Sequence, residues 1–189
     1  MKNYINIERI TKLSKVDAKV PLYQKIIKLS EEAGEISDAL DIMANEIDII
    51  NVVEEACDTI NVAVDIINVL NSSNEFGENL YHINMTNDIL FNNVKAFSIF
   101  QLVNRISSEV GKSSQAFLRF DGAKNVSKSA VEGKEALLKQ INNVIIWCDI
   151  VIRQIEKEYV GVTPDFIVKL FNSKLDKWES KQNKYKGNL

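Results

Sequence analysis

Leu29-Ser30-Glu31-Glu32-Ala33-Gly34-Glu35-Ile36 is answered, about twenty residues on, by Glu54-Glu55-Ala56-Cys57-Asp58-Thr59-Ile60. Each stretch carries carboxylates three positions apart, Glu32 with Glu35 and Glu55 with Asp58. On a helix such a pair points its oxygens from one face. Around the first stretch Leu22, Ile26, Ile27, Leu29, Ala33, Ile36, Leu40 and Ile42 recur mostly at three- and four-residue steps, which predicts an amphipathic helix over 21–44. Pro21 suits its first turn, where a missing N–H is not needed. Around the second stretch Ile50, Val52, Val53, Ala56, Ile60, Val62, Ala63, Ile66, Ile67 and Leu70 leave less than half the circumference polar. That pattern predicts a helix buried in the middle of a bundle, and it is too long for a strand. If the two helices pack antiparallel, the acidic pairs meet in one place.

The same spacing runs through the remainder. A short leading helix is predicted within 4–14, with Ile5, Ile7, Ile10 and Leu13. A polar connection over 74–88 holds Gly77 and the only histidine, His82, which carries no role in this reading. Helix is predicted again from about 88 to Phe117, broken by Asp121-Gly122, and again from after Ser129 to Gly161. Thr163-Pro164-Asp165 then reads as N-cap, first helical residue and first-turn acid, opening a basic helix to about Tyr185. No segment reads as a strand, so the fold class is all-α, one domain over 1–189.

The 189 residues are 46% apolar and 26% charged, a globular composition, and the net charge of -3 argues against a general nucleic-acid surface. The N-terminus lacks a signal-peptide core, and no apolar run reaches membrane-span length. Cys57 and Cys148 lie in apolar helical runs, as free cysteines of a reduced compartment do. A soluble, cytoplasmic protein is expected.

The two halves resemble each other. Ile106-Ser107-Ser108-Glu109-Val110-Gly111-Lys112 echoes Leu29 to Glu35, and Cys148-Asp149-Ile150-Val151 more weakly echoes Cys57 to Ile60. The second copy keeps Glu109 and Asp149 but has Lys112 for Glu35 and Ile146 for Glu55. A duplicated helical hairpin, intact over 21–73 and degenerate over 88–160, would give a four-helix bundle, with the helix over 163–186 packed across it.

Carboxylates flanked by apolar residues cost several kcal/mol each to bury unneutralised. Hard divalent cations such as Mg²⁺ take oxygen ligands and offset that cost. Glu32, Glu35, Glu55 and Asp58 are therefore a candidate metal set, with Glu31 outside it. Gly34 and Gly111, each inside a predicted helix, suggest the close approach of a helix or ligand, or simple packing. Lys174, Lys177 and Lys181 recur along one face of the last helix and are candidates for facing phosphate, the alternative being a solvated basic face. Asn172 and Asn61 are weaker candidates for polar contact with a nucleotide. Trp147 and Trp178 read as packing residues that could also stack a base.

Glu-x-x-Glu followed by Glu-x-x-Asp on consecutive helices resembles the all-α nucleoside triphosphate pyrophosphohydrolases, which comprise MazG-like proteins, dimeric dUTPases and phosphoribosyl-ATP pyrophosphohydrolases. The wording Lys28-Leu29-Ser30-Glu31-Glu32-Ala33-Gly34-Glu35-Ile36 is close to the MazG-like form. The resemblance covers 22–70 well and the last helix loosely. It implies Mg²⁺, or Mn²⁺, on Glu32, Glu35, Glu55 and Asp58, and hydrolysis of a nucleoside triphosphate to monophosphate and pyrophosphate. It also implies Glu35 as general base, with Glu32 next. MazG-like proteins usually dimerise, whereas a chain with its own decayed second hairpin supplies that half itself; one site per chain follows, with Lys112 beside the acids of the second hairpin, and a homodimer stays open. Alternatives are a dUTPase or a phosphoribosyl-ATP pyrophosphohydrolase-like enzyme, or a catalytically silent bundle that binds a partner.

Overall fold

The computed structural model describes residues 4–41, 46–71, 91, 94, 97–122 and 130–186. Within them the chain is helical and holds no strand. The helices are α1 (Ile7–Val16), α2 (Leu22–Asp41), α3 (Glu46–Leu70), α4 (Ile99–Phe120), α5 (Ala130–Glu158) and α6 (Pro164–Lys186). Among the described residues no helix is long and apolar enough to cross a membrane. His82 lies outside the described residues.

Local chemistry sets the ends. Asn6 caps α1 by accepting from the Arg9 backbone N–H at 3.0 Å. The Pro21 carbonyl accepts from the Gln24 N–H at 3.0 Å as α2 begins. Gly122, at φ +75°, turns the chain after α4 in the left-handed region that glycine enters without strain. Thr163 Oγ1 accepts from the Phe166 N–H at 3.3 Å, the expected cap of α6.

The helix expected to run unbroken from about 88 is interrupted: Phe91 is helical, Val94, Phe97 and Ser98 are not, and α4 starts at Ile99, the other positions from 88 to 96 lying outside the described residues. A capping box fixes that start: Ser98 accepts from the Gln101 N–H while the Gln101 side chain accepts from the Ser98 N–H at 2.9 Å.

α2 packs on α3, α4 on α5, and the two pairs join through α3 on α5 and α2 on α4. One hydrophobic cluster runs through all six helices. α3 lies at its centre, touching α1, α2, α5 and α6, and its buried residues Val52, Ala56, Ile60, Ala63, Val64 and Ile67 cover most of its circumference. α6 rests Ile167, Phe171 and Leu175 on this core and is tied to α1 from outside. Those ties are Arg9 with Asp176 and Glu179, each at 2.6 Å, and the Gln182 amide donating to the Leu13 carbonyl at 3.0 Å.

Candidate functional site

Apolar stripes on α2 and α3 bring the helices together, and their polar neighbours follow in register. Lys25 meets Asp65, Nζ to Oδ2 at 2.5 Å. Further along α2, Glu32 feels the charge of Asp58, and Glu35 hydrogen-bonds with Glu55. Positions rise along α2 as they fall along α3, so the packing is antiparallel and both acidic pairs face the same seam. Carboxylate oxygens of Glu32, Glu35 and Glu55 lie within 4.8 Å of one another. Asp58, the fourth acid, is held by an ammonium from α6: Lys174 Nζ stands 2.7 Å from Asp58 Oδ2, 3.5 Å from Glu54 and 3.9 Å from Glu55.

The cluster is electrostatically unbalanced. Glu32 is 5% exposed; one of its oxygens takes Lys28 Nζ at 2.6 Å, and the other is buried with no hydrogen-bond partner among the described residues. Burial raises the Glu32 pKa against the pull of Lys28, and Asp58 and Glu35 push the same way as burial. Burial also pushes Glu55 up to about 7; Lys174 opposes this, while Asp58 and Glu35 add to it. For Lys174, burial alone would favour the neutral amine, but contact with Asp58 and the charges of Glu55 and Glu54 more than reverse that and hold it protonated.

An all-oxygen set with converging carboxylates and one orphaned buried oxygen suits a hard divalent cation. Glu32, Glu35 and Glu55 fit that group directly, and Asp58 fits it once Lys174 moves away. Glu31 is exposed and paired with Lys28 at 3.2 Å, outside the converging set, as expected.

These acids line a cleft of about 360 Å³. Lys174, Lys177 and Lys181 line it from α6, and Asn61 from α3. Asn61 is 5% exposed, with Oδ1 buried and unpartnered among the described residues. Asn172 does not line the cleft; two positions before Lys174 it points to the far side of the helix. Sequence reasoning missed Lys25 and Lys28, which also line the cleft. Lys28 was findable, because it sits one turn before Glu32 in an i,i+4 ion-pair position. Trp178 also lines the cleft, its indole N–H donating to Asp17 Oδ2 at 2.6 Å. Trp147 packs half-buried against the core.

In the second hairpin Lys112 sits beside the retained acid, 2.5 Å from Glu109 Oε1, and Asn143 donates to Glu109 Oε2 at 3.1 Å. Both Glu109 oxygens are thus satisfied by the protein itself. Among the described residues the close approach suggested at Gly34 and Gly111 is absent: a Cβ at either would meet none of them within 4 Å.

Compared with models of protein families, with curated proteins and with solved structures, the chain matches none.

Proposed function

We propose that this chain is a Mg²⁺-dependent nucleoside triphosphate pyrophosphohydrolase of the MazG-like kind, built as a four-helix bundle from a duplicated hairpin with one working site. The observation that carries the reading is the convergence of Glu32, Glu35 and Glu55, with an orphaned Glu32 oxygen, in a cleft lined by lysines from α6. Divalent cations bound there would neutralise phosphate charge and make a nearby water more acidic.

The chain's own residues then divide the work. Glu32, Glu35, Glu55 and Asp58 hold the ions. Lys174, Lys177 and Lys181 bind the triphosphate oxygens. Glu35, the exposed member of the converging three, accepts the proton of the attacking water. Attack falls between the α- and β-phosphates, giving a nucleoside monophosphate and pyrophosphate. Asn61 and Trp178 offer a hydrogen-bonding edge and a stacking face to the nucleoside. Free, buried Cys57 and Cys148 support a cytoplasmic location.

Turnover of nucleoside triphosphates by wild type and Glu35→Gln, each with Mg²⁺ and with chelator, tests this. Wild type should turn over only with the metal. Glu35→Gln should lose about 10²-fold or more in kcat with no loss of melting temperature. Full activity in chelator, or an active Glu35→Gln, would count against it.

A further inference from the structure

Lys174 is a feature of the cleft that a simple acidic metal site does not require, and it reaches the acids from a helix outside their hairpin. Its ammonium stands where a cation would, 2.7 Å from Asp58 and within 3.9 Å of Glu55 and 3.5 Å of Glu54. It arrives from α6, an element otherwise fixed through Phe171, Leu175 and the ties to α1, and its side chain is 12% exposed. Compare Lys112, which neutralises Glu109 from the same helix, three residues away. That ion pair is local, and Asn143 completes it. Lys174 instead crosses the seam between elements, at the end of a flexible four-carbon stem. Lys177 and Lys181 continue its helix face along the cleft, so a triphosphate lying against them also lies within reach of Lys174.

We infer that Lys174 is a displaceable internal counter-ion that makes divalent-cation binding and triphosphate binding depend on each other. Free cation must evict the ammonium from Asp58 and Glu55 and leave it only the more exposed Glu54. A triphosphate gives the evicted ammonium a new partner. Each ligand therefore favours the Lys174-released state, and the two bind with positive coupling that is reciprocal by linkage. The site accordingly takes its cation together with the triphosphate, as the chelate, in preference to holding free cation beforehand. This rests on the acid cluster being a divalent-cation site, and it adds the form in which the substrate is accepted.

Calorimetric titrations of the full chain with Mg²⁺ alone, with inorganic tripolyphosphate alone, and with each in the presence of the other test this. They are run on wild type, Lys174→Met and Lys174→Arg. If the ammonium occupies the site nine-tenths of the time, its loss tightens free Mg²⁺ binding about tenfold. Lys174→Met should therefore bind Mg²⁺ alone about tenfold more tightly and tripolyphosphate alone more weakly. The factor by which each ligand strengthens the other should fall about tenfold relative to wild type. Chelation of Mg²⁺ by tripolyphosphate in solution is common to all variants and cancels in that ratio. Lys174→Arg, which keeps a cation at the position, should retain coupling close to wild type. Unchanged or weaker Mg²⁺ binding by Lys174→Met, with coupling intact, would overturn the inference and leave the cation site standing. Absence of Mg²⁺ binding by both wild type and Lys174→Met would overturn the cation site and the inference together.

Discussion

Glu55 makes the strain in the acid cluster measurable. Its pKa rises from 4.5 to about 7 in the folded chain, first through burial and then through Asp58 and Glu35, against the pull of Lys174. Between those values the folded state holds a proton that the unfolded state has released. Stability is therefore full below the unfolded value and is lost as pH rises through the folded one. At about 1.4 kcal/mol per pKa unit the shift sets a ceiling of roughly 3 kcal/mol, and the partial exposure of the carboxylate brings it to about 2–3 kcal/mol. Burial raises Glu32 and Asp65 too, so they slope the same way. Urea unfolding in chelator at pH 5 and pH 8 reads this directly. Wild type should lose about 2–3 kcal/mol or more between the two. Glu55→Gln should lose about 2 kcal/mol less than wild type, because its neutral amide has no proton to release. Saturating Mg²⁺ should stabilise wild type more at pH 8 than at pH 5. A wild-type stability that is flat or rising from pH 5 to pH 8 without divalent cation would refute the reasoning.

Three further substitutions probe the frame around the site. Lys25→Met strands Asp65 as a buried, unpaired charge and should cost about 3 kcal/mol in urea unfolding, most of it recovered by adding Asp65→Leu; a cost below about 1 kcal/mol would contradict the buried pair. Gly34→Ala should raise stability by about 0.5–1 kcal/mol, since a Cβ there meets nothing, and a loss would show that something packs against that face. Ser98→Ala removes the cap of α4 and should cost about 1 kcal/mol, readable as a lower melting temperature.

Much of this was legible in the sequence because it is local. The apolar spacing around Glu32 and Glu55 reports two helices, and the i,i+3 acids report which faces carry charge. Thr163-Pro164-Asp165 reports the start of α6, and Phe166 closes that cap as expected. The interruption ahead of α4 is not legible because Val94 and Phe97 extend the apolar periodicity, while the restart is carried by the short Ser98–Gln101 box. Which acid each lysine meets was not legible, since Lys174 and Asp58 are brought together only by the docking of α6 on α3. The glycines mislead for a related reason: a glycine inside a helix does not report what, if anything, approaches it, and no described residue approaches Gly34. The unpartnered Asn61 and Glu32 oxygens are properties of the packed state and leave no trace in spacing.

In the proposed function the acids and lysines of this cleft cut a triphosphate between its α- and β-phosphates. Product analysis by phosphorus NMR, over a panel of nucleoside and deoxynucleoside triphosphates with Mg²⁺, tests it most directly. Equal amounts of nucleoside monophosphate and pyrophosphate are expected, lost on adding chelator and in Glu35→Gln. Release of single phosphate with nucleoside diphosphate, or no turnover of any member of the panel, would contradict it.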